Sequence, residues 1–236
     1  MTTLKEKVFN RITDDFQVMA REVFQQLELA DRMMENNKDE QLYNTLVTNE
    51  RIIDSLEVKM RSEVINAIVL YTPRATNLRV IISYYDMTAY LERIGDQVLN
   101  IANFLKSADI HNTLFGQYKD ELKEMLCTAT RMAKNSIQAF TDGRTELAKE
   151  VIELDDQVDD LFHRISRELP EMQSGKVLSP QEMTDVLAIN GMAYNIERIG
   201  DNATNISESA IYLIQGQNIR HLDHQDEAND LISKEN

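Results

Sequence analysis

The chain has 236 residues, of which 42% are hydrophobic, and it carries a formal net charge of −15. So large an excess of acids argues against nucleic acid and anionic lipid as partners, because proteins bind both mainly through lysine and arginine side chains that neutralise the negative charges. Seven glycines, three prolines and no tryptophan, beside many strong helix formers, predict an all-α protein.

The cysteine count and the hydropathy indicate the compartment. Cys127 is the single cysteine, so an internal disulfide has no second partner. No apolar run reaches the length of a signal-peptide core or of a bilayer span. We therefore expect a cytoplasmic protein that does not insert directly into a membrane.

Apolar residues of the first half recur at three- and four-residue steps, which is typical of helices. Thr72 and Pro73 predict the start of the third helix, because threonine can cap a helix and proline at its first position loses no hydrogen bond. The predicted helices cover about residues 4–35, 40–69 and 72–107.

The same pattern begins again after a link at 109–115. Pro170 and Gly175 indicate a loop, and Ser179 with Pro180 repeats the combination of cap and proline. The predicted helices of this half cover about residues 116–140, 145–169 and 180–215. We therefore expect two tandem three-helix bundles, at residues 1–110 and 111–220, followed by a polar tail at 221–236.

An internal repeat relates the two halves. Residues 91–96 read Leu-Glu-Arg-Ile-Gly-Asp and residues 196–201 read Ile-Glu-Arg-Ile-Gly-Asp, an offset of 105. The same offset places two acids of the second helix on two acids of the fifth. In a helix, side chains four positions apart point in nearly the same direction. The chain thus has four acidic pairs in two matching sets: Glu50 and Asp54, Glu92 and Asp96, Asp155 and Asp159, Glu197 and Asp201.

Clustered carboxylates without histidine or cysteine form a hard-oxygen site, suited to Mg, Mn, Ca or ferric iron, with zinc as a further candidate. The plain alternative is a solvated helix face. Two features favour metal ligands: the acidic pairs lie beside the apolar stripe, and both repeats keep the acids in identical register. The predicted metal ligands are therefore the eight acids of the four pairs.

Glycine interrupts both copies of the repeat, at Gly95 and Gly200. A glycine within a helix costs about 1 kcal/mol relative to alanine, which indicates that a ligand or a neighbouring helix approaches the backbone there. Arg93 and Arg198 are the nearest counterions in the sequence. Four asparagines on or near the same shoulder could complete a coordination shell or only make polar contacts: Asn100, Asn103, Asn202 and Asn205.

Catalytic motifs are missing from the sequence. Di-metal sites of ferritin-like bundles need Glu-x-x-His on two helices, and His163 has no glutamate three residues before it. There is no glycine-rich phosphate loop and no nucleophile or zinc-hydrolase motif. The alternatives that stay open are a helical-bundle metalloprotein with hydrolytic or redox activity at the carboxylates, and a structural dimer whose acids only face solvent.

Residues 72–79, reading TPRATNLR, and the two E-R-I-G-D segments, the second continuing as N-A-T-N-I-S-E, resemble the PhoU family of phosphate-signalling proteins. The likeness covers nearly the whole chain, although Asn77 stands where the family more often has aspartate. It implies tandem three-helix bundles, usually dimeric, and a negative regulator of phosphate uptake. Some members carry multinuclear iron or zinc clusters on E/D-x-x-x-D motifs, which here are the four acidic pairs.

The resemblance also implies partners. They are the ATPase subunit of the phosphate ABC transporter and a sensor histidine kinase, with a homodimer as the expected assembly. The leading hypothesis is a cytoplasmic adaptor and not an enzyme, with its acids as metal ligands. No set of residues resembles a phosphate pocket, so direct phosphate binding is not predicted.

Overall fold

A computed structural model of the chain describes residues 4–73, 76–175 and 177–215. The predicted tail at 221–236 lies outside the described residues. Within them the chain forms six helices and no strand, which confirms the all-α prediction. The helices are α1 (Leu4–Met33), α2 (Glu40–Tyr71), α3 (Thr76–Ser107), α4 (Thr113–Asp142), α5 (Thr145–Gln173) and α6 (Pro180–Gln215).

Helices α1 to α3 pack on one another, as do α4 to α6, and α3 also packs along α6. Helices α3 and α6 run antiparallel, since Arg79 near the start of α3 lies 5.4 Å from the ring centroid of Tyr212 near the end of α6. The buried apolar side chains of both halves form a single cluster. The predicted tandem bundles are therefore confirmed, and they share one core. None of the described helices is both long and apolar enough to cross a bilayer.

The start of α6 agrees with its predicted cap. The Ser179 hydroxyl accepts a hydrogen bond from the backbone N–H of Glu182 at 3.2 Å, and the Glu182 carboxylate accepts one from the Ser179 N–H at 2.8 Å. This reciprocal pair is a capping box. Pro180 is the first helical residue, where its missing N–H costs nothing.

Three predicted boundaries are wrong. Helix α4 begins at Thr113 and not at about residue 116, because Asn112 caps it there. Thr72 does not start α3: it ends α2 with a left-handed φ of 40° and donates its N–H to the carbonyl of Ile68 at 3.0 Å. The ring of Pro73 disfavours a helical conformation at Thr72, so α2 stops there. Pro170 does not start a loop but lies inside α5. The helix continues for less than one turn after Pro170 and ends at Gln173. The neighbouring Leu169 is buried and keeps this end of the helix packed.

The link between the halves is fixed by a buried acid on α6. Asp185 is fully buried and accepts hydrogen bonds from the N–H of Asp109 at 2.8 Å, from the Gln181 amide at 3.0 Å, and from the amide of Asn112. Asn112 in turn caps α4, its side-chain oxygen accepting from the N–H of Phe115 at 2.7 Å. Asp185 therefore orients the residue that begins the second half.

Two further contacts position the end of α3. The buried amide of Asn37 donates to the carbonyls of Leu105 at 2.6 Å and Ala108 at 2.9 Å. On the other side, Gly191 of α6 faces the ring of Phe104, and a Cβ at position 191 would overlap that ring. Close packing of α3 on α6 thus depends on a glycine that the sequence pattern does not single out.

Candidate functional site

The acids of α2 and α3 come together where these antiparallel helices cross. Glu50, Asp54, Glu57, Glu92 and Asp96 are close enough to influence one another electrostatically, and we call them the first acidic patch. Four of the five were predicted. Glu57 was not, although it lies three residues after Asp54 and so shares its face of α2; it also pairs with Arg61 at 2.6 Å.

The acids of α5 and α6 form the corresponding group. Asp155, Asp159, Glu197 and Asp201 interact with one another, and we call them the second acidic patch. The sequence repeat therefore becomes a structural repeat: each half of the chain brings two acidic pairs from two helices to one place.

Burial changes the proton affinity of the first patch. The Glu50 side chain is only 5% exposed, and this burial, reinforced by the charges of Asp96 and Asp54, raises its pKa to about 8, although a hydrogen bond from Gln26 opposes the shift. Burial and neighbouring carboxylates also raise the pKa of Asp54 and of Glu92. Desolvation and like charge both disfavour the ionised form of a carboxyl group, so this patch binds protons where no cation compensates it.

The second patch behaves in the same way. Burial, followed by the charges of Asp159 and Asp201, raises the pKa of Asp155 to about 7, although a hydrogen bond from Thr204 opposes the shift. Burial, followed by the charges of Asp201 and Asp159, also raises the pKa of Glu197 to about 7. The pKa of Asp159 is raised by burial and by Asp201.

The glycines of the repeat face these acids. A Cβ built on Gly95 would lie 3.0 Å from the Glu50 Oε2 atom, and one on Gly200 would lie 3.3 Å from the Asp155 Oδ1 atom. Glu50 and Asp155 are themselves related by the offset of 105. The close approach that the sequence predicted is therefore made by a carboxylate of the neighbouring helix in each half.

These distances predict different effects for two matched substitutions. In Gly95→Ala the new methyl group also meets Gln26 Oε1 at 3.1 Å and Ile53 Cδ1 at 3.2 Å, so we expect it to displace Glu50 and to destabilise the protein by about 1–2 kcal/mol. In Gly200→Ala the neighbours are looser, and the gain in helix propensity, about 1 kcal/mol, should leave stability equal or higher. Urea unfolding of both variants measures this. A Gly95→Ala variant at least as stable as the wild type would contradict the close contact.

The predicted helpers of the acids are placed as follows. Arg198 pairs with Asp201 at 3.0 Å. Arg93 lies 5.9 Å from the ring centroid of Tyr90, and its charge opposes the shift by which burial raises the pKa of Glu92. Three of the asparagines make hydrogen bonds within the helical bundle. The amide of Asn202 donates to the carbonyl of Arg198 at 2.6 Å, and that of Asn205 donates to the carbonyl of Asp201 at 2.8 Å. Asn103 accepts from the Tyr43 hydroxyl at 2.8 Å. Asn100 is exposed.

Several buried oxygens of the site have no hydrogen-bond partner. They are Oε1 of Glu50, Oε1 of Gln26 and Oε2 of Glu197. A buried polar atom without a partner is costly, and a cation is one way to satisfy a carboxylate oxygen. Across the part of the chain that the structure describes, no three His, Cys, Asp or Glu side chains are already arranged to hold a metal ion. The oxygen donors of the patches suit a hard cation by their chemistry, but the side chains are not yet arranged as a complete coordination sphere.

Comparison with known proteins agrees with this architecture. The PhoU domain model matches the chain twice, over residues 16–105 and 122–210. A phosphate-specific transport system accessory protein PhoU homolog from Clostridium acetobutylicum is 31% identical over 185 residues, covering 77% of this chain and 81% of its own. A homolog of the same name from Aquifex aeolicus is 31% identical over 190 residues, covering 79% and 82%.

Solved structures show the same fold. The crystal structure of PhoU from Pseudomonas aeruginosa superimposes with a TM-score of 0.79 at 25% identity, covering 89% of this chain and 99% of that one. The phosphate transport system regulatory protein PhoU from Streptococcus pneumoniae superimposes with a TM-score of 0.78 at 18% identity, covering 89% and 96%. With two matched domains, relatives over most of its length and the same fold as solved PhoU structures, the chain belongs to the PhoU family.

Proposed function

We propose that this chain regulates phosphate uptake as an accessory protein of a phosphate-specific transport system. Family membership carries the proposal, because the relatives in Clostridium acetobutylicum and Aquifex aeolicus bear that name. In this proposal the protein acts in the cytoplasm as a homodimeric adaptor. Its partners are the ATPase subunit of the phosphate ABC transporter and a sensor histidine kinase, whose signalling it represses when phosphate is plentiful.

We further propose that the two acidic patches bind metal ions. The supporting observation is that each patch combines carboxylates from two helices with a buried oxygen that has no partner. Iron and zinc are the first candidates, and Mg, Mn and Ca also suit oxygen donors. A bound metal would neutralise carboxylates that otherwise repel one another. The ligands are Glu50, Asp54, Glu92 and Asp96 in the first patch, and Asp155, Asp159, Glu197 and Asp201 in the second.

A position between two helices gives the acids a regulatory use. The first patch draws from α2 and α3, and the second from α5 and α6. A cation bound by carboxylates of two helices holds those helices close, whereas ionised carboxylates without a cation repel one another and push the helices apart. The occupancy of the patches therefore controls how the helices pack, and with it the surface that partner proteins meet.

One observation favours enzymatic use of the acids. The pKa of Asp155 and of Glu197 is raised to about 7, which is the range of a general acid or base. Ligation is the better explanation, because Glu50, the most strongly shifted carboxyl, is too deeply buried for a substrate to reach. The described residues around it also contribute no nucleophile beside a base.

Elemental analysis tests the metal part of the proposal. The wild type is compared with a variant in which Glu92, Asp96, Glu197 and Asp201 are all changed to Ala, each after chelation and exposure to Fe, Zn and Mn. We expect metal in the wild type and loss of it in the variant, with helicity kept. A control with four exposed acids outside the patches changed to Ala should retain the metal: Asp14, Asp120, Glu124 and Glu146.

Co-purification with the transporter ATPase subunit and with the kinase, measured on the same variants, tests the adaptor role separately. Association of the wild type with either partner, weakened in the fourfold patch variant but not in the control, is the expected result. A wild type that re-binds no metal would refute the metal sites. A wild type that associates with neither partner would refute the adaptor role.

A further inference from the structure

Different side chains lie beside the repeat glycines of the two acidic patches. Behind Gly95, the Gln26 Oε1 atom lies 3.1 Å from the position of a built Cβ; behind Gly200, the Met132 side chain lies there instead, with Cε at 3.4 Å and Sδ at 3.7 Å. Gln26 of α1 and Met132 of α4 are both fully buried. An amide therefore lies beside the first patch and a thioether beside the second.

Gln26 contacts a predicted ligand directly. Its side-chain nitrogen donates a hydrogen bond of 2.6 Å to Glu50 Oε2 and a longer one of 3.4 Å to the carbonyl of Leu46. Its own oxygen and Glu50 Oε1 are left buried without partners. The amide therefore fixes the orientation of the Glu50 carboxylate, and the remaining two oxygens are available to a cation.

Met132 cannot do the same for the second patch. A thioether has no hydrogen to donate to Asp155, and sulfur is a poor ligand for the hard cations that carboxylates favour. Side chains that hydrogen-bond to a metal ligand typically change metal affinity by about 10-fold to 100-fold. The difference between Gln26 and Met132 is thus expected to contribute to a difference in metal affinity between the two patches.

We propose that Gln26 is a positioning residue that makes the first patch the tighter site for a hard divalent cation, so that the two patches fill in order. This inference rests on the proposed metal binding. It adds an ordered response: as the cation concentration rises, α2 and α3 are drawn together first, and α5 and α6 follow. A protein with two identical patches would respond in one step.

The test uses the full chain in two backgrounds that each keep one patch. Glu197→Gln with Asp201→Asn leaves the first patch, and Glu92→Gln with Asp96→Asn leaves the second. The probe is Mn²⁺ alone, its free form followed by electron paramagnetic resonance and its binding heat by calorimetry. Each background is combined with Gln26→Met, a substitution of similar shape that copies the second patch.

We expect Mn²⁺ to bind the first patch more tightly than the second. Gln26→Met should weaken binding about tenfold in the first-patch background and leave it unchanged in the second-patch background. A residue that only filled the core would alter both backgrounds or neither. The reciprocal change, Met132→Gln, should tighten binding in the second-patch background.

The remaining outcomes are each decisive. A folded Gln26→Met variant with unchanged Mn²⁺ affinity in the first-patch background overturns the role of Gln26 while the metal sites stand. Tighter binding by the second patch overturns the order of filling. Failure of both backgrounds to bind Mn²⁺, when the unmutated chain also fails, overturns metal binding itself. If Gln26→Met does not fold, unchanged affinity in Met132→Gln overturns the proposal.

Discussion

In a chelating buffer, the protein is expected to lose stability as the pH rises from about 5 to about 8. Burial raises the pKa of Glu50 from 4.5 to about 8 in the folded chain, so between these values the folded state keeps a proton that the unfolded state has released. Stability from this group is complete below the unfolded pKa and is lost as the pH passes the folded pKa. Each unit of difference corresponds to about 1.4 kcal/mol.

The second patch contributes in the same direction. The pKa values of Asp155 and Glu197 are raised to about 7, so their contribution is likewise lost as the pH rises past about 7. Both side chains are partly exposed, so solvent screening makes their effect smaller than that of Glu50.

Thermal melting in a chelating buffer at several pH values measures this effect. We expect the melting temperature to fall by about 5 °C or more across the range, and Glu50→Gln, which mimics the protonated form, to flatten the dependence. Glu35→Gln is the control: hydrogen bonds from Lys119 and Lys123 lower the pKa of Glu35 to about 2, so its charge does not change in this window. A melting temperature that stays level or rises with pH in the wild type would refute the buried-proton account.

Replacement of Asp185 by alanine is expected to destabilise the protein by about 3 kcal/mol. The carboxylate is fully buried and accepts from Asp109, Asn112 and Gln181. Its loss leaves the partly buried N–H of Asp109 and the partly buried amide of Asn112 without this acceptor, and an unsatisfied polar group that is fully buried costs about 1–3 kcal/mol. Because Asn112 caps α4, the start of the second half should loosen as well.

Urea unfolding and hydrogen exchange measure the consequence of Asp185→Ala. The amides of the link and of the first turn of α4 should exchange faster than those elsewhere. Asp185→Asn keeps the shape but places an amide against the Asn112 amide, so it should also destabilise. Leu187→Ala, 62% exposed on the same helix, should stay within about 0.5 kcal/mol of the wild type. An Asp185→Ala variant as stable as Leu187→Ala would contradict the role given to this acid.

The helices could be predicted from sequence because their signals are local. Apolar residues at three- and four-residue steps place all six, and Ser179 with Pro180 marks the start of α6 correctly. The wrong boundaries at Thr72 and Pro170 are places where one local sequence is compatible with two structures. Whether a proline starts a loop or ends within a helix depends on the packing of its neighbours, such as the buried Leu169.

The candidate site was predicted only in part. The offset of 105 identified the paired acids, because a repeat that builds the same bundle twice places its acids equivalently. The same offset aligns Gln26 with Arg131, whereas the structure puts Met132 in the matching place. The structural match between Gln26 and Met132 therefore departs by one residue from the sequence register, at the point where the two patches differ.

The sequence by itself determined the helical class, the duplication, the four acidic pairs and the resemblance to the PhoU family, all of which follow from spacing along the chain. Only the tertiary structure decided which residues surround the acids. It brought Gln26 to Glu50, added Glu57 to the first patch and buried Asp185 under the link. These contacts join residues far apart in sequence, and their strength depends on burial, since the same polar groups in water would cost nothing to leave unpaired.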